Sequence, residues 1–276
     1  MERWIDVNIL IIGNGFDIAH GLPTTYTDFL NFVEQVLRIE IFFGSVNEFE
    51  SKNEKTGYDK FNQLDESVKK YLHSKIWSDK NPDASVKDVF ETKNDKIMNE
   101  IISLAKDNSW IKWFQNQKEI SGNNWIDFES EISEVVQCME LVYKKVIDFN
   151  KANHSIDLTS SENKVINNFR TKKSPAEKSF DISECKEKML NDLNDLIRCL
   201  ELYLEDCVRN IDKQLLTLDI YDLNIDKVIS FNYTDTYNKI YSGLHSFVEY
   251  DYVHGKSKIS ADPANNMVLG IDEYLS

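Results

Sequence analysis

An apolar run that ends abruptly in glycine constrains the start of this chain more than any other feature. Residues Ile9–Ile12 lead directly into Gly13-Asn14-Gly15. A short run rich in isoleucine and stopped by glycine is typical of a buried strand, so the sequence predicts a strand over 7–12, followed by a turn and a helix. The turn has two interpretations: a simple tight turn, or a place where the backbone approaches a ligand closely.

Strand patterns return only near the other end of the chain. Three further strands are predicted, at 227–231 before Asn232, at 247–253 before His254-Gly255, and at 267–269 before Gly270-Ile271-Asp272. Helical stripes of apolar residues fill the middle, with long ones over 127–149 and 181–216. Residues 151–180 are polar and contain Pro175, which predicts a mobile connector. We therefore expect an α/β fold with a mainly parallel sheet built from both chain ends and a large helical insertion.

Composition restricts the classes of partner and site. A net charge of −15 disfavours a broad nucleic-acid surface but still allows one nucleotide to be held by backbone amides. The four cysteines form no CxxC pair and the five histidines no HExxH, so we expect no metal and predict Cys199 and Cys207 to be buried free thiols. Because a signal peptide and long apolar runs are missing, we expect a cytoplasmic protein with no membrane contact.

Each predicted strand ends in residues of distinctive chemistry. If the strands are parallel, their carboxyl ends share one edge of the sheet, where open α/β sheets bind ligands. The sequence therefore predicts a nucleotide site at that edge. Simpler interpretations stay open, because Asn232 is also a common loop residue and His254 can be purely structural. The G-x-G-x-x-G pattern fails at Ile18, and no P-loop lysine follows the glycines.

Several motifs together resemble the AbiH family of bacteriophage abortive infection proteins. They are G13-N-G-F-D-I-A-H-G-L-P23, W125-I-D-F-E129, S230-F-N-Y-T234, V253-H-G255 and L269-G-I-D272. The resemblance implies a role in antiviral defence, and it is compatible with a phage-derived trigger and with a homo-oligomer. Within the second motif, Asp127 is interpreted as a helix cap. The alternative places Glu129 at the mouth of the site, and the role of Trp125 is left open.

The order of these motifs is also similar to the sirtuin-like NAD-binding fold, which implies a Rossmann-like sheet. On this resemblance, Asn232 and His254 are the catalytic residues, and NAD is the substrate or ligand. The implied cofactor-binding residues are Gly13, Asn14, Gly15, Phe16, Asp17, Gly21, Pro23, Thr234, Gly255, Gly270 and Asp272. The chain departs from sirtuins at Asp17, Phe231 and Thr234 and lacks their zinc-binding cysteines. This argues against protein deacetylation and favours similarity to defence effectors that consume NAD.

The resulting prediction assigns the nucleotide-binding core to residues 1–40 and 221–276 and the helical insertion to 41–220. The expected reaction is hydrolysis of the nicotinamide–ribose bond, with His254 as general base and Asn232 orienting water and a ribose hydroxyl. The amides of the Gly13–Gly15 turn would hold the pyrophosphate, and Asp17 and Asp272 would bond ribose hydroxyls. The alternative is a module that senses a nucleotide without turning it over. A nuclease has no support from metal-ligand spacing.

Overall fold

The computed structural model describes nine segments of the chain. These are residues 7–41, 64–76, 95–121, 127–152, 157–170, 182–211, 216–243, 247–259 and 267–269. Contacts divide the chain into two compact units, one of Met1–Ser103 with Arg198–Val268 and the other of Leu104–Ile197 with Leu269–Ser276. Described residues 64–76, 95–103 and 198–211 belong to the same unit as the sheet.

The described residues form thirteen helices and strands in a mostly helical α/β arrangement. In chain order they are β1 (Ile9–Ile12), α1 (Asn14–Ala19), α2 (Tyr26–Ile41), α3 (Glu66–Ile76), α4 (Lys96–Ala105), α5 (Ser109–Ser121), α6 (Phe128–Ala152), α7 (Ser160–Phe169), α8 (Ile182–Leu202), α9 (Leu218–Tyr221), β2 (Lys227–Ser230), α10 (Thr236–Tyr241) and β3 (Glu249–Tyr252). Helix α8 continues as a π-helical turn over Tyr203–Cys207 and a 3₁₀ turn over Val208–Asn210.

The first unit contains a small sheet of three strands in the order β1-β2-β3, and both pairs are parallel. Ile12 and Val228 lie on one face of this sheet, where they pack with Tyr237 and Tyr241 of α10. The apolar runs at both chain ends thus form the parallel sheet that we expected. Nearby, the Tyr203 ring packs against two phenylalanines of α2.

The second unit has an aromatic core. Trp110, Phe114, Phe128 and Phe169 are all less than 2% exposed and stack or pack edge to face. The indole N–H of Trp110 donates to the backbone oxygen of Met189 at 2.9 Å, so the buried ring keeps its one polar group satisfied. Helix α5 begins where the Asp192 carboxylate accepts from the Ser109 amide at 2.7 Å.

Three sequence predictions about elements need correction. Residues 267–269 form no strand. The backbone N–H of Val268 donates one hydrogen bond to the backbone oxygen of His254 at 3.0 Å. The helix predicted to reach 216 stops at Asn210, because Ile211 is extended. The mobile connector predicted over 151–180 contains α7, which buries Val165, Ile166 and Phe169.

The cysteine prediction is confirmed at both positions. Cys199 and Cys207 are free thiols, each about 1% exposed or less. Burial raises the pKa of the Cys207 thiol well above its ordinary value, since a charged thiolate is disfavoured inside the protein. These thiols therefore act as packing groups.

Candidate functional site

The carboxyl ends of the three strands lie side by side. Residue pairing places Ile12 beside Ser230, and Ser230 beside Tyr252. The ladder extends one step further, since the Phe231 amide donates to the Ile12 oxygen and the Val253 amide to the Ser230 oxygen, both at 2.9 Å. Three of the four predicted loops therefore leave the sheet at one edge. Gly270 and Asp272 of the fourth loop lie outside the described residues.

Two predicted site residues from opposite ends of the chain meet at this edge. Thr234 Oγ1 donates to Asp17 Oδ2 at 2.5 Å, and Thr236 Oγ1 donates to Thr234 Oγ1 at 3.0 Å. Asp17 is 1% exposed, so it is not a solvated carboxylate, and the N-cap of α1 is Gly13 with no side-chain capping bond. Burial raises the pKa of the Asp17 carboxyl above its ordinary 3.8, and the smaller effects of the two threonines and Asn232 lower it.

Asn232 completes what we call the Asp17 cluster: Asp17, Asn232, Thr234 and Thr236. The backbone N–H of Asn232 donates to Ser230 Oγ at 3.1 Å, which fixes the start of its loop. Its carboxamide lies close enough to lower the pKa of Asp17, yet it is not in direct hydrogen-bond contact. Within the described chain, Asn232 Oδ1, Asn232 Nδ2 and Asp17 Oδ1 are shielded from solvent and have no hydrogen-bonding partner.

Three unsatisfied polar atoms in one cluster are informative. Each buried polar atom left without a partner costs about 1–3 kcal/mol, and native proteins contain few of them. A carboxylate oxygen needs a donor, whereas a carboxamide offers both a donor and an acceptor. The cluster is therefore suited to a ligand with hydroxyl groups, such as a sugar, which can both donate to and accept from these atoms.

The glycines of the first turn leave open space next to this edge. Gly13 is extended (φ −132°) and precedes α1, and Gly15 lies in its first turn. A Cβ added to either glycine would meet no atom of the described chain within 4 Å. Neither packing nor backbone conformation requires glycine here, so the space is available for close approach by a ligand.

Two other predicted glycines have conformational roles. Gly21 (φ 73°) ends α1, with its amide donating to the Ile18 oxygen and the Leu22 amide to the Asp17 oxygen. This is the left-handed helix ending that glycine favours. Gly255 (φ 81°) is likewise in the left-handed region, in the turn after β3.

Three further predicted residues are engaged in structural contacts. Asn14 accepts a hydrogen bond from the Thr24 hydroxyl at 2.7 Å. Phe16 packs against the sheet core, and the Pro23 oxygen accepts from Tyr203 Oη at 2.8 Å. These contacts position helix α1, which carries Asp17, and they place no group of these three side chains against the unsatisfied atoms.

His254 lies at the end of β3, two residues beyond Tyr252, as Asn232 lies two residues beyond Ser230. Its half-buried ring contacts Phe231 and Tyr233, with centroids 5.6 and 6.3 Å away. No described residue forms a hydrogen bond with its ring nitrogens. The structure thus places His254 and Asn232 on adjacent strand ends without a direct contact between them.

The residues that follow His254 are fixed by buried acids, a feature missed by the sequence analysis. Ser257 Oγ donates to Glu205 Oε1 at 2.6 Å, and the Lys258 amide donates to Glu201 Oε1 at 2.9 Å. Lys256 pairs with Asp235 at 2.9 Å. The available signal was the four-residue spacing of Glu201 and Glu205 around the apolar residues 202–204, which puts both carboxylates on one face of a helix.

A small pocket adjoins the Asp17 cluster. It opens to solvent and shares Thr234 and Thr236 with the cluster. Glu205, Arg209 and Asp235 line it as well. Gly15, Asn232 and His254 are not among its lining residues, so the pocket and the predicted catalytic pair are distinct features.

Asp127 of the central motif caps a helix, as interpreted from its sequence. Asp127 Oδ1 accepts from the Glu129 amide at 3.0 Å and the Ser130 amide at 3.2 Å, which caps α6. Trp125 lies outside the described residues.

Comparison with known proteins decides the family. A model described as "Bacteriophage abortive infection AbiH" matches residues 9–274, nearly the whole chain. The chain belongs to the AbiH family. No curated protein and no solved structure matches this AbiH protein significantly.

Among the helices that the structure describes in this AbiH protein, none is both long and apolar enough to cross a membrane.

Proposed function

We propose that this AbiH protein acts in abortive infection by binding NAD or a related nucleotide at the carboxyl edge of its sheet and hydrolysing the nicotinamide–ribose bond. The observation that carries the proposal is the Asp17 cluster, where buried polar atoms lack partners within the described chain. Open space at Gly13 and Gly15 lies where β1 passes into α1, the helix that carries Asp17. Its family membership supports the defence role.

Residues from both ends of the chain contribute to the proposed reaction. Asp17 Oδ1 accepts from a ribose hydroxyl, and the Asn232 carboxamide orients the sugar and the attacking water. When the bond between C1′ and the pyridinium nitrogen breaks, nicotinamide leaves as a neutral molecule and positive charge develops on the sugar. The oxygen of water bonds to C1′, and its proton passes to His254 as general base. Removal of such a base typically lowers the rate by about 10²–10⁴.

A second candidate is a nucleotide sensor that does not turn its ligand over. His254 favours this reading, because no carboxylate among the described residues orients its ring as in most catalytic bases. Phe231 and Tyr233, which do contact the ring, would then form part of a binding surface.

Incubation of the purified protein with NAD separates the two candidates. Release of free nicotinamide that is lost in both Asn232→Ala and His254→Ala supports hydrolysis. Saturable NAD binding without release, weakened by Asn232→Ala, supports the sensor. Leu218→Lys is the control, because Leu218 is 77% exposed on α9. The nucleotide proposal fails if the wild type neither binds nor hydrolyses NAD.

A further inference from the structure

Strand β1 has an outer side that no strand among the described residues pairs with. The Asn8 oxygen accepts bonds from the Asp226 and Lys227 amides, and the Ile12 oxygen accepts from Phe231, so even-numbered residues bond to β2. Backbone groups alternate in direction along a strand. The N–H and C=O groups of Ile9 and Ile11 therefore point to the outer side.

The side chains on this strand are unusually exposed for an apolar sheet. Val7, Ile9 and Ile11 are 53%, 52% and 65% exposed and share one face of the sheet. Parallel sheets are normally covered on both faces. Proteins protect open edges with charges, prolines or bulges, and residues 7–12 contain no charged residue and no proline.

The opposite edge of the sheet shows the protection that β1 lacks. Strand β3 carries the exposed acids Glu249 and Asp251. Such charges discourage pairing with another strand. The difference between the two edges identifies β1 as the side where a further strand is accommodated.

We propose that β1 pairs antiparallel with β1 of a second copy, giving a two-fold symmetric dimer with one continuous sheet. A two-fold axis at Leu10 places Ile9 opposite Ile11 of the other copy, and each such pair exchanges two backbone hydrogen bonds. The exposed isoleucines then form cross-strand apolar contacts on a shared face.

The charges of the edge itself fit a second copy better than a basic segment, because residues 7–12 offer no carboxylate for a basic segment to pair with. The chain carries −15 overall, yet the pairing residues are uncharged, so two copies meet where no like charges oppose each other directly. The remaining repulsion between the acidic copies is long-ranged and is screened by salt. Dimerisation therefore strengthens as salt is added, whereas docking of a basic segment weakens.

Sedimentation velocity over a wide concentration range tests the proposal. The wild type is expected to show a reversible monomer–dimer equilibrium that shifts toward dimer in higher NaCl. Ile11→Lys and Ile9→Lys are expected to be monomeric, while Leu218→Lys, an equal change at another exposed position, dimerises like the wild type. Circular dichroism verifies that each variant is folded.

Hydrogen exchange of the unmodified protein gives an independent readout. The amides of Ile9 and Ile11 should be protected at high concentration and exchange faster on dilution, while the Phe231 amide stays protected within its own chain. A monomeric wild type, open-ended aggregation, association unaffected by Ile11→Lys, or a dimer weakened by salt would each overturn the proposal.

Discussion

Asp17 occupies an environment that disfavours its charge. Its carboxyl is 1% exposed, and one oxygen accepts from Thr234 while the other has no partner in the described chain. Burial is the main cause of its raised pKa. A protein keeps such a group against a penalty in stability most readily where the group serves a function.

The raised pKa predicts how stability depends on pH. The folded protein binds the Asp17 proton more tightly than the unfolded chain, so this stabilisation is present below pH 3.8 and is lost as pH rises through the folded-state pKa. Asp17→Asn does not titrate there and keeps an oxygen to accept from Thr234. Urea unfolding at acidic and neutral pH should show the variant gaining stability relative to the wild type as pH increases. A difference that stays constant with pH would contradict this assignment.

The glycines at the two ends of α1 should respond in opposite ways to alanine. Gly15→Ala is expected to be neutral or to stabilise by about 0.5–1 kcal/mol, because it is helical and its Cβ enters open space. Gly21→Ala should destabilise by about 1–2 kcal/mol, because its φ of 73° is left-handed. Chemical denaturation measures both changes.

Ligand binding gives the matching functional comparison. Gly15→Ala should weaken NAD binding despite its unchanged or improved stability, since its methyl group fills open space that the proposal assigns to the ligand. Gly21→Ala should bind like the wild type wherever it is folded. Equal binding by the wild type and Gly15→Ala would show that the ligand does not approach this turn.

At the scale of elements, periodicity predicted local helices and strands but not contacts between residues far apart in the sequence. The strands at 9–12, 227–230 and 249–252 follow from their patterns, whereas their parallel pairing was an expectation that the structure confirms. The bond between Thr234 and Asp17 joins residues 217 positions apart, and no local pattern encodes it. The π-helical turn also escaped prediction, because the apolar stripe runs through it unchanged.

Helix α7 shows a signal that was present and overlooked. Thr159-Ser160-Ser161-Glu162 precedes Val165, Ile166 and Phe169, which is a capping box followed by an apolar face. In the structure both halves of the box form, with Thr159 Oγ1 accepting from the Glu162 amide and Glu162 Oε2 from the Thr159 amide. The segment was interpreted as a connector because its polar composition was given more weight than its capping box.

Thr159→Ala tests whether α7 is an integral part of its unit. Loss of an N-cap side chain costs about 0.5–2 kcal/mol, and the change should appear in the global unfolding free energy because Phe169 packs against Trp110. Ser161→Ala, which leaves the box intact, is the matched control. If Thr159→Ala unfolds at the same urea concentration as the wild type, residues 157–170 behave as the mobile connector first predicted.

At the scale of the whole molecule, the family assigns a defence role that the site must explain. The two ends of the chain supply the Asp17 cluster, and described residues of the predicted insertion, Glu201 and Glu205, fix the segment after His254. The site therefore depends on the folding of residues from three distant parts of the sequence. Only a variant that spares the fold can connect this site with defence.

Asn232→Ala is such a variant. Its carboxamide has no hydrogen-bonding partner within the described chain, so truncation removes two unsatisfied atoms. This gain offsets the cavity and the loss of the carboxamide's favourable effect on the Asp17 carboxylate. The unfolding free energy should change by no more than about 1 kcal/mol. In a phage-sensitive host, the wild-type chain should reduce plaque formation and Asn232→Ala should not, although both accumulate equally. Leu218→Lys should protect as well as the wild type. Full protection by a stable Asn232→Ala protein would remove the Asp17 cluster from the defence mechanism.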